Sequence, residues 1–167
     1  MTPHPDQQVI EVNCAVITIS DSRTVETDKS GKIIQDLLLE SGFRIQEYQI
    51  LQDEPQQILG LVQHLVQISS LDAIICNGGT GIAPRDTTYD VLSQILEKTL
   101  PGFGELFRWL SFQEIGSRAM ASRAIAGTYQ NKLIFSLPGS SNAVHLAMTQ
   151  LILPEISHLT KQIKGLT

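Results

Sequence analysis

Three short stretches of this sequence carry residues suited to gripping a phosphate. The first is Thr18-Ile19-Ser20-Asp21-Ser22-Arg23. The second is Asn77-Gly78-Gly79-Thr80-Gly81, with its extension Pro84-Arg85-Asp86-Thr87. The third is Leu137-Pro138-Gly139-Ser140-Ser141-Asn142. Glycines admit positive φ and let a backbone approach a ligand closely. Successive N–H groups in such a loop make an anion-binding concavity, and Thr80 adds a hydroxyl donor. A tight strand-to-helix turn with no ligand fits the glycine loop equally well. It is neither the spaced GxGxxG fingerprint nor a Walker loop ending in Gly-Lys-Ser/Thr, which argues against a Rossmann dehydrogenase and a Walker-type ATPase. In the third stretch Gly139 can make the turn and Ser140 or Ser141 can cap a helix whose free N–H groups favour phosphate; ordinary capping needs no ligand. Asp21 and Asp86 lie within these stretches, and Asp53 follows the second strand. Carboxylates beside phosphate loops typically serve Mg2+, together with substrate phosphates, and Arg23, Arg85 and Arg123 can neutralise charge during phosphoryl or nucleotidyl transfer. Singly, each aspartate is as well explained as a turn or cap residue.

The elements that must position these stretches are readable from periodicity. Val12–Ile19 is almost continuously apolar and β-branched, the pattern of a strand buried on both faces. Arg44–Leu51, Leu71–Cys76 and Lys132–Leu137 read as further strands. Between them, Ile33, Ile34, Leu37 and Leu38 recur at helical spacing, opened by Asp28 or Ser30-Gly31 and closed by Gly42. Pro55 starts a helix carrying Ile58, Leu61, Val62, Leu65 and Val66. Thr87 or Thr88 caps one carrying Val91, Leu92, Ile95 and Leu96, which Pro101-Gly102 breaks. Helix is expected again over 103–113 and, after the turn at Ser140-Ser141, through Val144, Ala147, Met148 and Leu151, with an interruption at Pro154. The stretch after Glu114 gives no clear pattern. Alternating strands and helices with apolar strands imply a mostly parallel sheet covered on both faces. In such a sheet, ligands bind beyond the carboxyl ends of the strands, where parallel topology gathers all three stretches.

Bulk properties restrict the function further. The 167 residues suit one domain, 1–167, with residues 1–10 as a loose arm. A net charge of −5 and an aromatic content of 5% argue against a nucleic-acid grip. Cys14 and Cys76 sit in apolar runs without metal-ligand spacing and read as buried hydrophobes. His4, His64, His145 and His158 are scattered. No signal peptide and no run of membrane-spanning length is expected, so the default location is the cytoplasm, with no membrane partner. Residues 103–112 hold the only Trp and three of the five Phe. Such a segment suits the centre of a subunit interface and equally suits packing on its own domain.

The segments Ile17-Thr18-Ile19-Ser20-Asp21, Asp28-Lys29-Ser30-Gly31, Asn77–Gly81, Pro84-Arg85-Asp86-Thr87-Thr88, Pro101-Gly102-Phe103 and Leu137–Ser140 together resemble the MogA/MoaB family of molybdenum cofactor biosynthesis, which includes the gephyrin G domain. The resemblance runs from about residue 12 to 160, and Gly102–Ser122 is especially similar to the MoaB branch. It implies a three-layer αβα sandwich, assembled as a homotrimer or homohexamer. It implies Mg2+-dependent transfer of AMP from ATP to the terminal phosphate of molybdopterin, with release of pyrophosphate and hand-over to a MoeA-like molybdate-inserting enzyme. By the same resemblance Asp53 and Asp86 are the catalytic aspartates and the candidate metal ligands. Ser20, Asp21, Ser30, Gly78, Gly79, Thr80, Gly81 and Arg85 match the nucleotide site. Ser111 matches a pterin-side serine, Ser122-Arg123 a further Ser-Arg pair, and Pro138, Gly139 and Ser140 a ligand-facing loop. The chain departs from the family pattern at Thr88-Tyr89-Asp90, where Thr-Pro-Glu is usual. It keeps the Arg85-Asp86 pair, which favours an active transferase over the alternative of a non-catalytic molybdopterin-binding carrier or scaffold. An unrelated nucleotide hydrolase on the same fold is a third reading, since fold does not fix function.

Overall fold

The computed structural model describes residues 10–166. Most of the arm assigned to residues 1–10 lies outside that range. Ile10 packs against the core, and its carbonyl accepts a hydrogen bond from the Ser157 hydroxyl at 3.2 Å.

Six strands form one sheet in the order β2-β1-β3-β6-β5-β4. They are β1 (Asn13–Ile19), β2 (Arg44–Leu51), β3 (Ala73–Asn77), β4 (Lys98–Thr99), β5 (Ile125–Tyr129) and β6 (Lys132–Leu137). The four strands expected from the sequence are parallel neighbours in the order β2, β1, β3 and β6. β5 and β4 extend the sheet in antiparallel fashion. Neither had a clear signature. β4 is two residues long, and β5 carries a glycine. The β5–β6 turn uses Gln130 and Asn131 at positive φ, where Asn-Gly would be the usual signal.

Side chains alternate across the sheet, so each central strand feeds two cores. Cys14 and Val16 of β1, Ala73 and Ile75 of β3, and Leu133 and Phe135 of β6 face one side. There they meet α1 (Lys29–Glu40), α4 (Pro101–Ile115), α5 (Ser141–Ala147) and α6 (Leu153–Ile163). Ala15, Ile17, Ile74, Cys76 and Ile134 face the other side, against α2 (Pro55–Leu65) and α3 (Thr88–Ile95). The result is the expected three-layer αβα sandwich. Both cysteines are free and buried, and burial pushes each thiol up to about 12, consistent with packing roles.

Three local expectations are corrected. Pro101 opens α4 rather than breaking a helix, because its fixed φ suits the first turn. Pro154 does not interrupt the last helical stretch. It sits in the first turn of α6, after a π-helical turn over Met148–Ile152 that re-phases the ladder around the missing N–H. Thr87 stands at the N-cap of α3 as expected, but its hydroxyl bonds Asp53 and makes no capping hydrogen bond. No helix among the described residues is long and apolar enough to cross a membrane.

Strand register delivers the three loops to one edge. Thr18 lies opposite Asn77, and Asn77 opposite Leu137. The ladder continues one step past the strands, with Gly78 N–H donating to the Leu137 carbonyl at 2.9 Å. Phe135, fully buried and edge-to-face with Phe103 at 5.4 Å, anchors the α4 layer to the strand that ends in the third loop. Phe135→Ala is expected to cost about 3–5 kcal/mol, read as a lower midpoint in urea unfolding; a loss under about 1 kcal/mol would refute tight packing of this layer.

Candidate active site

Beyond the carboxyl ends of β1, β3 and β6 lies a cleft of about 490 Å3. Each of the three loops contributes to it. Ser20, Ser22 and Arg23 come from the β1 loop, Gly78–Gly81 and Asp86 from the β3 loop, and Pro138, Gly139 and Ser140 from the β6 loop. The facing wall is built by α4 and the following 3-10 turn (Gly116–Ala121), through Phe107, Ser111, Ile115, Arg118 and Ala119, with Ser122 just beyond.

The glycine loop owes its shape to its neighbours. Gly78 has φ +102°, and a Cβ there would run into the Ile19 carbonyl oxygen. Gly79 has φ +65°, and a Cβ there would run into the Asp53 carboxylate and the Thr88 hydroxyl. No other residue type fits either position without displacing β1 or Asp53.

Beneath the loops lies a buried carboxylate. Asp28, 3% exposed, caps α1 by accepting from Gly31 N–H at 3.0 Å. Its Oδ2 also accepts from Thr18 Oγ1 at 2.5 Å and Tyr48 Oη at 2.7 Å, and its Oδ1 pairs with Arg23 at 3.3 Å. Burial works against its charge, but the bonds from Thr18, Tyr48 and Gly31 and the Arg23 charge together hold it below the usual carboxylate range. Burial, then the hydrogen bond to Asp28, raises the Tyr48 phenol. Arg23 also donates to Ser30 and, at 2.7 Å, to the Gly139 carbonyl. Ser30 donates to Asn77 Oδ1 at 2.7 Å, and Asn77 donates to Thr18 at 2.9 Å. One connected network therefore ties the first loop to the second and third.

A second set of contacts holds the outer half of the glycine loop. Asp21 pairs with Arg85 at 2.9 Å, and Arg85 also reaches Glu54 at 2.6 Å. The Arg85 hydrogen bond, then the Asp53 N–H, lowers the Asp21 carboxyl; Asp21 and Glu54 raise Arg85. Asp53 accepts from Thr87 N–H at 3.0 Å and from the Thr87 hydroxyl at 2.5 Å. Asp86 Oδ2 accepts from Ala83 N–H at 2.8 Å. Arg123 donates to the carbonyls of Gly81 and Asp86, each at 2.9 Å, pairs with Asp90 at 2.8 Å, and stacks over Tyr89.

Ser20, Gly78, Gly79, Thr80, Gly81, Asp86, Ser111, Ser122, Pro138, Gly139 and Ser140 are thus brought to one cleft. Asp21, Ser30, Asp53, Arg85 and Arg123 do not line it: Ser30 and Arg123 bond groups that do, Arg23 and the carbonyls of Gly81 and Asp86, whereas Asp53 bonds Thr87 and Asp21 pairs with Arg85. Asp53 is 6% exposed, and its Oδ1 is occupied by Thr87. The sequence reading missed Arg118 and Phe107 on the wall, and the roles of Thr18, Tyr48 and Asn77 beneath the floor. Asp28 was visible as a helix cap and as part of a family-like segment, not as the centre of a buried network. Among the described residues no group of three or more His, Cys, Asp or Glu could hold a metal ion. Asp86 is the carboxylate on the cleft wall. That donor set fits a Mg2+ that draws most of its oxygens from phosphates and water, and does not form an all-protein cage.

The family model described as "Probable molybdopterin binding domain" matches residues 15–158. A protein named "Molybdenum cofactor biosynthesis protein B" from Halalkalibacterium halodurans is 53% identical over 157 residues, covering 91% of this chain and 90% of that protein. A crystal structure of a protein of the same name superposes with a TM-score of 0.92 at 48% identity, covering 95% of this chain and 99% of that one. The "tungsten cofactor synthesizing protein MoaB" from Pyrococcus furiosus superposes at 0.82 with 33% identity, over 92% and 98%.

Asp28→Asn is expected to destabilise the fold by about 2–3 kcal/mol near neutral pH, since several of its hydrogen bonds lose a charged acceptor. Because its carboxyl is lowered in the fold, that stability is present above the unfolded carboxyl value of about 4 and is lost as pH falls through the folded value. Urea unfolding from pH 7 downward should show a smaller acid-side loss in the variant than in the wild type; parallel profiles would refute this account.

Proposed function

The chain belongs to the molybdopterin-binding domain family of molybdenum cofactor biosynthesis proteins, and from that premise we propose that it transfers AMP from ATP to molybdopterin. A terminal phosphate oxygen of molybdopterin attacks the α-phosphorus of ATP. The bond from that phosphorus to the oxygen bridging to the β-phosphate breaks, and pyrophosphate leaves. The reading is supported above all by the single cleft where the glycine loop, Asp86 and the Pro138–Ser140 loop meet. The exposed amides of Gly78–Gly81 are suited to phosphate oxygens. Asp86 would hold Mg2+, which when bound supplies charge neutralisation on the phosphates. Ser111 and Ser122 offer hydroxyls from the opposite wall. Asp53 acts behind the loop, fixing Thr87 and hence the approach of Asp86. Asp21 and Arg85 hold the same segment from outside. No protein nucleophile is required, so catalysis rests on positioning and charge compensation.

One observation favours a second reading, a non-catalytic molybdopterin carrier: Asp53, the other expected catalytic carboxylate, is buried behind the loop. The two readings separate on pyrophosphate release. With ATP as donor, the reaction belongs in the cytoplasm, and the adenylylated pterin passes to a MoeA-like molybdate-inserting enzyme.

We extend the proposal to a homotrimer or homohexamer. α4 buries Phe103 and Phe107 in its own subunit but exposes Leu106, Trp109 and Phe112, each more than half accessible. Both readings of this aromatic segment thus have a face, and the exposed one suits a subunit interface.

In an assay with ATP, Mg2+ and molybdopterin, wild type should release pyrophosphate and form adenylylated pterin. Asp86→Asn should lower that rate about a hundredfold with an unchanged melting temperature; pterin binding without pyrophosphate from wild type would establish the carrier. Trp109→Glu should reduce the sedimentation coefficient to that of a monomer; an unchanged value would exclude α4 from the interface.

A further inference from the structure

The arginines of this chain are nearly all engaged. Arg23 is held by Asp28, Ser30 and the Gly139 carbonyl. Arg44 pairs with Glu11, and Arg85 with Asp21 and Glu54. Arg108 donates to the Ser122 carbonyl at 3.4 Å, and Arg123 clamps Gly81, Asp86 and Asp90. Arg118 differs. It is exposed, it lines the cleft, and it has no hydrogen-bonding or ionic partner among the described residues.

Its backbone is nonetheless well held. Gly116 ends α4 at φ +63°, ψ −145°, and the chain continues as the 3-10 turn. Within that turn Ala119 is buried. Just past it, Arg123 N–H donates to the Thr80 carbonyl of the glycine loop at 3.2 Å. A segment fixed at both ends therefore presents an uncommitted guanidinium to the cleft. The cleft's other charged side chains are Asp86 and Arg23, and Arg23 is already paired with the buried Asp28. Arg118 is thus the one cationic group on the cleft, among the described residues, whose charge awaits a counter-charge.

We infer that Arg118 is an anion-recognition residue of this cleft, pairing with a phosphate group of the bound ligand. A guanidinium offers two parallel N–H donors matched to phosphate oxygens. The inference rests on reading the cleft as a phosphate-ligand site and adds which side chain sets the affinity. Two sources offer the same chemistry, the phosphomonoester of the pterin and the polyphosphate of the nucleotide.

Titration calorimetry on wild type, Arg118→Gln and Arg118→Lys tests this with three probes: inorganic pyrophosphate, ATP with Mg2+, and molybdopterin. Arg118→Gln should weaken at least one probe about tenfold and flatten its salt dependence, with Arg118→Lys recovering part of the loss. A loss confined to molybdopterin supports the inference and assigns the phosphomonoester. A loss confined to ATP and pyrophosphate supports it and assigns the polyphosphate. A Gln variant with an unchanged melting temperature that binds all three probes like wild type overturns it, as does a wild type that binds none. Wild type that binds phosphate through Arg118 yet forms no adenylylated pterin leaves this inference standing and removes the transferase reading.

Discussion

A single buried carboxylate, Asp28, sets the terms for the architecture around the cleft. A charge removed from water is costly unless donors replace its hydration. Here the donors come from β1 (Thr18), from β2 (Tyr48), from the start of α1 (Gly31) and from the first loop (Arg23). Each has to be in place for the charge to be tolerated. Through Ser30 and Asn77 the requirement extends to β3, and through the Arg23 bond to Gly139 it reaches the loop after β6. The geometry of the three loops follows from satisfying one buried charge.

The outer half of the glycine loop is held differently. Its pairs, Asp21–Arg85, Arg85–Glu54 and Arg123–Asp90, are largely exposed, and such pairs add little stability. Their contribution is positional. Arg123 grips two main-chain carbonyls flanking the segment that carries Asp86, and Asp53 grips that segment from below. The inner floor is thus tied together by buried hydrogen bonds and the outer lip by exposed pairs.

α4 connects this site to the rest of the molecule. One face fills the core beside Phe135 and lends Phe107 and Ser111 to the cleft, while the opposite face exposes apolar surface.

Much of this was legible in the chain itself. Nearly continuous apolar runs marked β1, β3 and β6, because strands buried on both faces tolerate few polar residues; β2, at the sheet edge, carries Arg44, Gln46, Glu47 and Gln49 and has no such run. Glycine and Pro-Gly stretches marked the loops, because only those residues permit their backbone. The ordered motifs carried the family resemblance. What stayed hidden depends on contacts distant in sequence. β4 and β5 exist because β6 offers an edge to pair with, and Pro154 is accommodated by a π turn that no local pattern announces. Asp21, Asp53 and Asp86 look alike as loop aspartates. Tertiary structure alone separates the one on the cleft wall from the one buried behind Thr87 and the one engaged by Arg85, and among the described residues it alone leaves Arg118 unpaired while committing its counterparts. Residue type and spacing determine which chemistry is available, being local properties of the chain. Which group faces the ligand is decided by how each side chain is paired, and those pairs form only when the strands align.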